Sequence, residues 1–122
     1  MSRHARGQMA YHSGEAAEHS IAQDYERRGF SIAKRRWRGP GGEIDLITRN
    51  ADGVVFVEVK KGPTLARAAE RITQHQMARI YASAAQFLEN EPQGQLTNVR
   101  FDVALVDGQG QYEILENAYG LG

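Results

Sequence analysis

Seven residues constrain this chain more than any others: Val54 to Lys60, V-V-F-V-E-V-K. Five of the seven are Val or Phe, at odd and even positions alike. A strand with one wet face alternates, whereas a run apolar on both faces belongs inside a sheet covered on both sides. Glu58 and Lys60 nevertheless close the run, where an isolated buried charge costs several kcal/mol. The fold must supply partners for a carboxylate and an ammonium at the end of a buried strand.

The surroundings define a fold class. A helix is predicted after Ser13, a good N-cap, with Ala17, Ile21, Ala22 and Tyr25 at helical spacing and Gly29 as its stop. Phe30 to Trp37 alternates weakly as a strand, with Phe30, Ile32 and Arg36 on one side. Gly39-Pro40-Gly41-Gly42 reads as a loop and Glu43 to Thr48 as a second strand. Asn50-Ala51-Asp52-Gly53 is a hairpin turn into the third strand, which Gly62-Pro63 breaks. One long helix follows, its apolar stripe running through Ala69, Ile72, Met77, Ile80, Tyr81, Ala84, Phe87 and Leu88 to a stop near Asn90-Glu91-Pro92. Val99 to Val106 and Tyr112 to Leu115 are the last strands, on either side of Asp107-Gly108-Gln109-Gly110. The order α-β-β-β-α-β-β, with a helix between two strands of one sheet, predicts an α/β domain: a mixed sheet flanked by helices. Residues 1–12 read as a flexible N-terminal segment and 13–122 as a single domain.

Composition narrows the function classes. The 122 residues are 41% hydrophobic and 25% charged, as in a soluble globular domain. No apolar run approaches the roughly 20 residues of a membrane span. The N-terminus, M-S-R-H-A-R-G-Q-M-A-Y-H-S-G, has no apolar segment of a secretory signal. Without cysteine there is neither a disulfide framework nor a thiolate metal site, and a cytoplasmic location fits. The formal net charge of +0 argues against a simple electrostatic nucleic-acid binder, but the charge is unevenly distributed. Arg27 to Arg38 holds six basic residues and no acid, so the remainder is net acidic, with Glu43, Asp45 and Glu58 close together.

Strand side chains alternate, so Glu58 and Lys60 share a face, as do Glu43 and Asp45. The hairpin sets the start of the second strand beside the end of the third, which brings Asp45 and Glu58 together with Lys60 next to them. Two carboxylates so placed form a hard-oxygen site suited to Mg²⁺ or Mn²⁺, with water and substrate phosphate completing the octahedron. A metal there activates water against a phosphodiester, while a lysine beside it orients that water or steadies negative charge. The same spacing also fits a solvated ion pair worth under about 1 kcal/mol. The joint presence of G-E-I-D-L-I, a hairpin turn and V-F-V-E-V-K favours the site.

Asp45, twelve residues, then Glu58-Val59-Lys60 resembles the D…(D/E)-x-K signature of the restriction-endonuclease-like nucleases. More closely, the chain resembles the YraN-like family of predicted bacterial endonucleases. The matching stretches are G-E-A-A-E (14–18), R-R-G-F-S-I (27–32), R-R-W-R (35–38), G-G-E-I-D-L-I (41–47), V-F-V-E-V-K (55–60) and R-F-D-V (100–103). They span nearly the whole chain, and the layout is also similar to archaeal Holliday-junction resolvases. The resemblance implies a restriction-endonuclease-like core and a Mg²⁺- or Mn²⁺-dependent endonuclease acting on DNA, on branched or repair intermediates. It implies Asp45 and Glu58 as metal ligands, the Val59 carbonyl as a third, and Lys60 as the catalytic lysine. Glu15 would match the resolvases' additional helix acid, although a Glu in a first helical turn also simply suits the helix dipole. One site per chain means that cutting both strands of a duplex needs a homodimer or two events. Two positions depart from the family pattern: Gly62, where a basic residue is usual, and Gln76, where a lysine is. Both changes remove positive charge from the phosphate path, and they sustain a rival reading as a non-catalytic nucleic-acid-binding module or adaptor.

Arg35, Arg36, Trp37 and Arg38, with Lys61, are the candidate nucleic-acid contacts, through phosphate pairing and stacking of the indole on a base. Packing against the core is the competing role for Trp37. His4, His12, His19 and His75 have no zinc-ligand spacing. Arg100 and Asp102 share a strand face, as a structural ion pair would.

Overall fold

A computed structural model describes residues 16–118. The predicted N-terminal segment 1–12, the helix start after Ser13, and Glu15 all lie outside the described residues. Helix α1 is seen over 16–27. It is followed by β1 (Ser31–Gly39), β2 (Gly42–Asn50), β3 (Gly53–Lys61), α2 (Leu65–Ala69), α3 (Gln74–Leu88), a 3-10 turn (Gly94–Leu96), β4 (Val99–Val106) and β5 (Tyr112–Leu115). The strands form one mixed sheet in the order β1-β2-β3-β4-β5, with β3 and β4 parallel and the other neighbours antiparallel. The parallel pair is joined by the α2–α3 crossover, as the predicted α/β order requires.

The sheet is covered on both faces, which explains the unbroken apolar run of β3. Val54 and Phe56 join Ile80, Ala84, Phe87 and Leu88 of α3 in one core. Val55 and Val57 join Ala17, Ile21, Ala22 and Tyr25 of α1 in the other. Phe56 stacks on Phe101 at 5.2 Å and meets Phe87 edge-on at 5.8 Å. Rings in this arrangement stabilise beyond their area burial by about 1 kcal/mol per pair.

The long helix expected from Ala69 to Leu88 is in fact two. Thr64 and Thr73 each accept a hydrogen bond from the amide three residues on, Arg67 at 3.1 Å and Gln76 at 3.2 Å. A second N-cap restarts the helix in a new direction. Ala69 and Ile72 still pack against the α3 core, which is why the apolar stripe reads as continuous. The Gly39–Gly42 loop is likewise tighter than expected, a hairpin turn with Gly39 paired to Gly42.

Strict alternation fails in both β1 and β2. The β1–β2 register shifts between Ile32 and Lys34, and Arg36 adopts φ 49°. On β2, Ile44 packs in the α3 core and Leu46 in the α1 core, although two residues apart they should share a face. The irregularity falls at Asp45.

Candidate functional site

That irregularity builds the site. The β2–β3 ladder runs from Asn50–Gly53 to Leu46–Val57 and goes no further. Beyond it, side chains replace the backbone bridges. The Val59 amide donates to Asp45 Oδ2 at 2.8 Å, and the Asp45 amide donates to Glu58 Oε1 at 3.3 Å. On its other side β3 stays paired with β4 as far as Lys61–Val106, so Glu58 and Lys60 stand on a rigid strand beside an open seam.

Asp45, Glu58 and Lys60 therefore converge. Glu58 is 5% exposed and Lys60 8%. The Lys60 ammonium lies 3.8 Å from Glu58 Oε2 and donates to Gln76 Oε1 on α3. Burial pushes the Glu58 carboxyl up to about 7, the Asp45 charge pushes the same way, and Lys60 opposes both. Asp45 is also raised, first by burial and then by the charges of Glu18 and Glu43, against the Val59 amide and Lys60. Two carboxylates face one ammonium at the wall of a cavity of about 410 Å³, which Arg38, Gly41, Gly42, Glu43, Gln76, Arg79 and Ile80 also line. Glu43 and Asp45 thus open onto the same space.

Among the described residues no group of three or more His, Cys, Asp or Glu side chains is placed to hold a metal ion. The seam brings two carboxylates together, and the Val59 carbonyl expected as a third ligand lies on the same stretch of β3. That number fits Mg²⁺, which keeps several waters and binds through one or two carboxylates plus substrate phosphate. The excess of negative charge at the seam, expressed in both raised carboxyls, is what a cation would relieve.

The expected nucleic-acid residues divide. Arg38 lines the cavity, and Arg35 is exposed on edge strand β1. Arg36 and Lys61 instead turn to the α1 side, where they meet Glu18 at 3.0 and 3.5 Å. Trp37 is half-buried, its ring edge-on to Phe87 at 5.5 Å, so the indole packs at the rim of the core. His19 and His75 are exposed, while His4 and His12 lie outside the described residues. Arg100 and Asp102 form the structural pair expected, with Arg100 Nε donating at 2.8 Å to a fully buried carboxylate.

Three residues near the site, Glu18, Ser83 and Arg79, went unread in the sequence, as did the contact that Gln76 makes. Glu18 on α1 carries the charge felt at Asp45 and stands in the same G-E-A-A-E stretch as Glu15. Gln76 holds Lys60. Ser83 and Arg79 pin the β1–β2 turn to α3: the Gly41 amide donates to Ser83 Oγ at 3.0 Å, Ser83 Oγ donates to the Gly42 carbonyl at 2.9 Å, and Arg79 Nε donates to the Gly41 carbonyl at 3.0 Å. A Cβ on Gly41 would stand 1.9 Å from the Arg79 carbonyl oxygen, so the glycine run was the available signal. Gly62 has a similar cause. A Cβ there would stand 2.7 Å from the Ala68 amide nitrogen, because α2 lies directly against the end of β3.

The comparisons with known proteins agree among themselves. The model of the uncharacterised protein family UPF0102 matches residues 17–106. A UPF0102 protein of Ruegeria pomeroyi is 59% identical over 118 residues, 97% of this chain and 96% of its own. One of Cereibacter sphaeroides is 54% identical over 113 residues, 93% of this chain and 97% of its own. One of Dinoroseobacter shibae is 44% identical over 115 residues, 94% of this chain and 86% of its own. The chain belongs to the UPF0102 family, the YraN-like family that its sequence resembles.

Proposed function

We propose that this chain is a divalent-metal-dependent nuclease with a restriction-endonuclease-like core, hydrolysing phosphodiesters of DNA. The observation that carries the reading is the seam at the end of β2 and β3. There a buried carboxylate, Glu58, and a half-buried one, Asp45, both held above their ordinary range, face one lysine beside an open polar cavity. Asp45 and Glu58 would hold Mg²⁺ or Mn²⁺, with the Val59 carbonyl as the third protein ligand. When bound, the ion supplies Lewis acidity that activates water and neutralises the scissile phosphate. The Asp45 and Glu58 carboxylates are oriented by the backbone amides of Val59 and Asp45, so little reorganisation is needed at reaction. Lys60, positioned by Gln76, is the cationic donor for negative charge developing on the phosphate.

The rival reading, a binding module without catalysis, draws on Gln76 and Gly62 standing where basic residues are usual. Gly62 has a packing reason independent of function, since α2 leaves no room for a side chain. Gln76 still engages Lys60. A binder, moreover, has little use for carboxylates that repel phosphate.

Purified protein with Mg²⁺ or Mn²⁺ is to be incubated with labelled single-stranded, duplex, flap and four-way-junction DNAs, beside a Lys60→Ala variant. Cleavage of at least one substrate, abolished by EDTA and reduced at least about a hundredfold in the variant, is expected. Metal-independent gel shifts with no cleavage of any substrate would establish the binding module instead.

A further inference from the structure

The cavity beside Asp45 and Glu58 carries two arginines whose charge the metal site does not use. Arg79 sits on α3, three residues beyond Gln76 and hence on the same side of the helix. Its Nε is occupied by the Gly41 carbonyl at 3.0 Å, which fixes the plane of the guanidinium. The guanidinium is held across Gly42: a Cβ built there, where φ is +123°, would stand 3.1 Å from Arg79 Nη2. The terminal nitrogens have no partner among the described residues. Arg38 reaches the same cavity from the end of β1 and likewise has no ion-pair partner among them.

We infer that Arg79, with Arg38, forms a phosphate clamp that holds the nucleic-acid backbone next to the scissile position. This inference rests on the nuclease reading of the same cavity and adds its substrate-positioning residue. An arginine fixed through Nε and open at both terminal nitrogens presents the planar fork suited to phosphate oxygens. Gln76, which touches Lys60, and Arg79 stand three residues apart on one side of α3, and Lys60 and Arg79 line the same cavity. Lys60 then serves the reacting phosphate and Arg79 the one beside it. The clamp also restores positive charge to the path that Gln76 deprives of a lysine. The β1–β2 turn is its mount, which gives the G-P-G-G segment a role that glycine packing alone leaves open.

The test is the salt dependence of binding to a labelled duplex and a four-way junction, measured by fluorescence anisotropy with Ca²⁺ in place of Mg²⁺. Wild type is compared with Arg79→Gln, with Arg79→Lys, and with Arg27→Gln, which removes the same charge from exposed α1. Arg79→Gln is expected to bind about tenfold more weakly at moderate salt, with the slope of log affinity against log salt reduced by about one. Arg79→Lys is expected to keep the slope and lose a few-fold in affinity, because the charge remains and the fork does not. Arg27→Gln is expected to match wild type. A merely structural role for Arg79 would leave the slope unchanged, so an unaltered slope in Arg79→Gln overturns the clamp while the nuclease reading stands. Failure of wild type to bind either DNA overturns both. Should Arg79→Gln fold poorly by circular dichroism, Arg38→Gln on exposed β1 gives the same slope test.

Discussion

Two buried carboxylates lie one residue apart across the β3–β4 ladder, and their surroundings could hardly differ more. Val57 pairs with Asp102 and Glu58 with Val103, so Asp102 points toward α1 and Glu58 toward α3. Asp102 is fully buried and accepts hydrogen bonds from Tyr25 Oη at 2.6 Å, from Arg100 Nε and Nη2 at 2.8 and 2.9 Å, and from the Asn117 amide at 2.8 Å. Glu58 has one backbone amide at 3.3 Å and an ammonium at 3.8 Å, with a second carboxylate beside it. Exposure is nearly the same for both, 0% and 5%, and the supply of donors differs. A carboxylate that brings its own donors is part of the scaffold; for one left short in a polar cavity, a cation would restore the charge balance.

The largest effect should come from breaking the satisfied cluster. Asp102→Ala leaves the Arg100 charge and the Tyr25 hydroxyl without their acceptor and is expected to cost about 3–5 kcal/mol in urea unfolding. A loss below about 1 kcal/mol would put the two carboxylates in the same class.

Glu58 should behave in the opposite sense. Its carboxyl, at about 7 in the fold, lies above the ordinary value of 4.5. The native state therefore binds more protons than the unfolded chain between those values. Stability falls as pH rises from about 4.5 to 7 and is flat above, a total of about 3 kcal/mol in EDTA. Glu58→Gln keeps an acceptor for the Asp45 amide and removes the charge. It should be more stable than wild type by up to about 3 kcal/mol at pH 8 and no more stable at pH 4. Denaturant midpoints across pH check this, and a wild type that gains stability between pH 5 and 7 would refute it.

Smaller effects sharpen the comparison at the edges of the site. Gly62→Ala should cost about 1–3 kcal/mol through overpacking against α2, without changing the pH slope. Thermal melts at two pH values separate these outcomes, and a neutral substitution would remove the packing account of Gly62. Thr73→Ala deletes the cap of α3 and should cost about 1 kcal/mol, again by melting. If it also weakens DNA binding more than Gly62→Ala does, the position of Gln76 and Arg79 on α3 is what the cap secures.

Much of this was legible in local chemistry. Asn50 closes the β2–β3 hairpin by accepting from the Asp52 and Gly53 amides at 2.9 and 3.2 Å, as its turn chemistry predicts. Once that turn is known, antiparallel geometry brings Asp45 to Glu58, and the two-sided run of β3 demands helices on both faces. What stayed hidden depends on tertiary contact. Thr73 becomes an N-cap only because the chain turns there, so its stripe reads as one helix. The reversal at Asp45 leaves no mark in composition, yet it opens the ladder and creates the seam. Arg79 and Glu18 look like ordinary surface charges on helices until the β1–β2 turn and the end of β3 are set against them. Trp37 belongs to a basic run by sequence, and only the fold shows its indole against Phe87.

The central claim is that Asp45 and Glu58 together hold a divalent cation. Electron paramagnetic resonance of Mn²⁺ titrated into the protein at pH 8 measures this directly, because bound ion loses the sharp signal of free Mn²⁺. Wild type is expected to bind one Mn²⁺ per chain, displaced by Mg²⁺, and Asp45→Asn and Glu58→Gln none. Equal Mn²⁺ binding by wild type and both variants, or none by any of them, would contradict it.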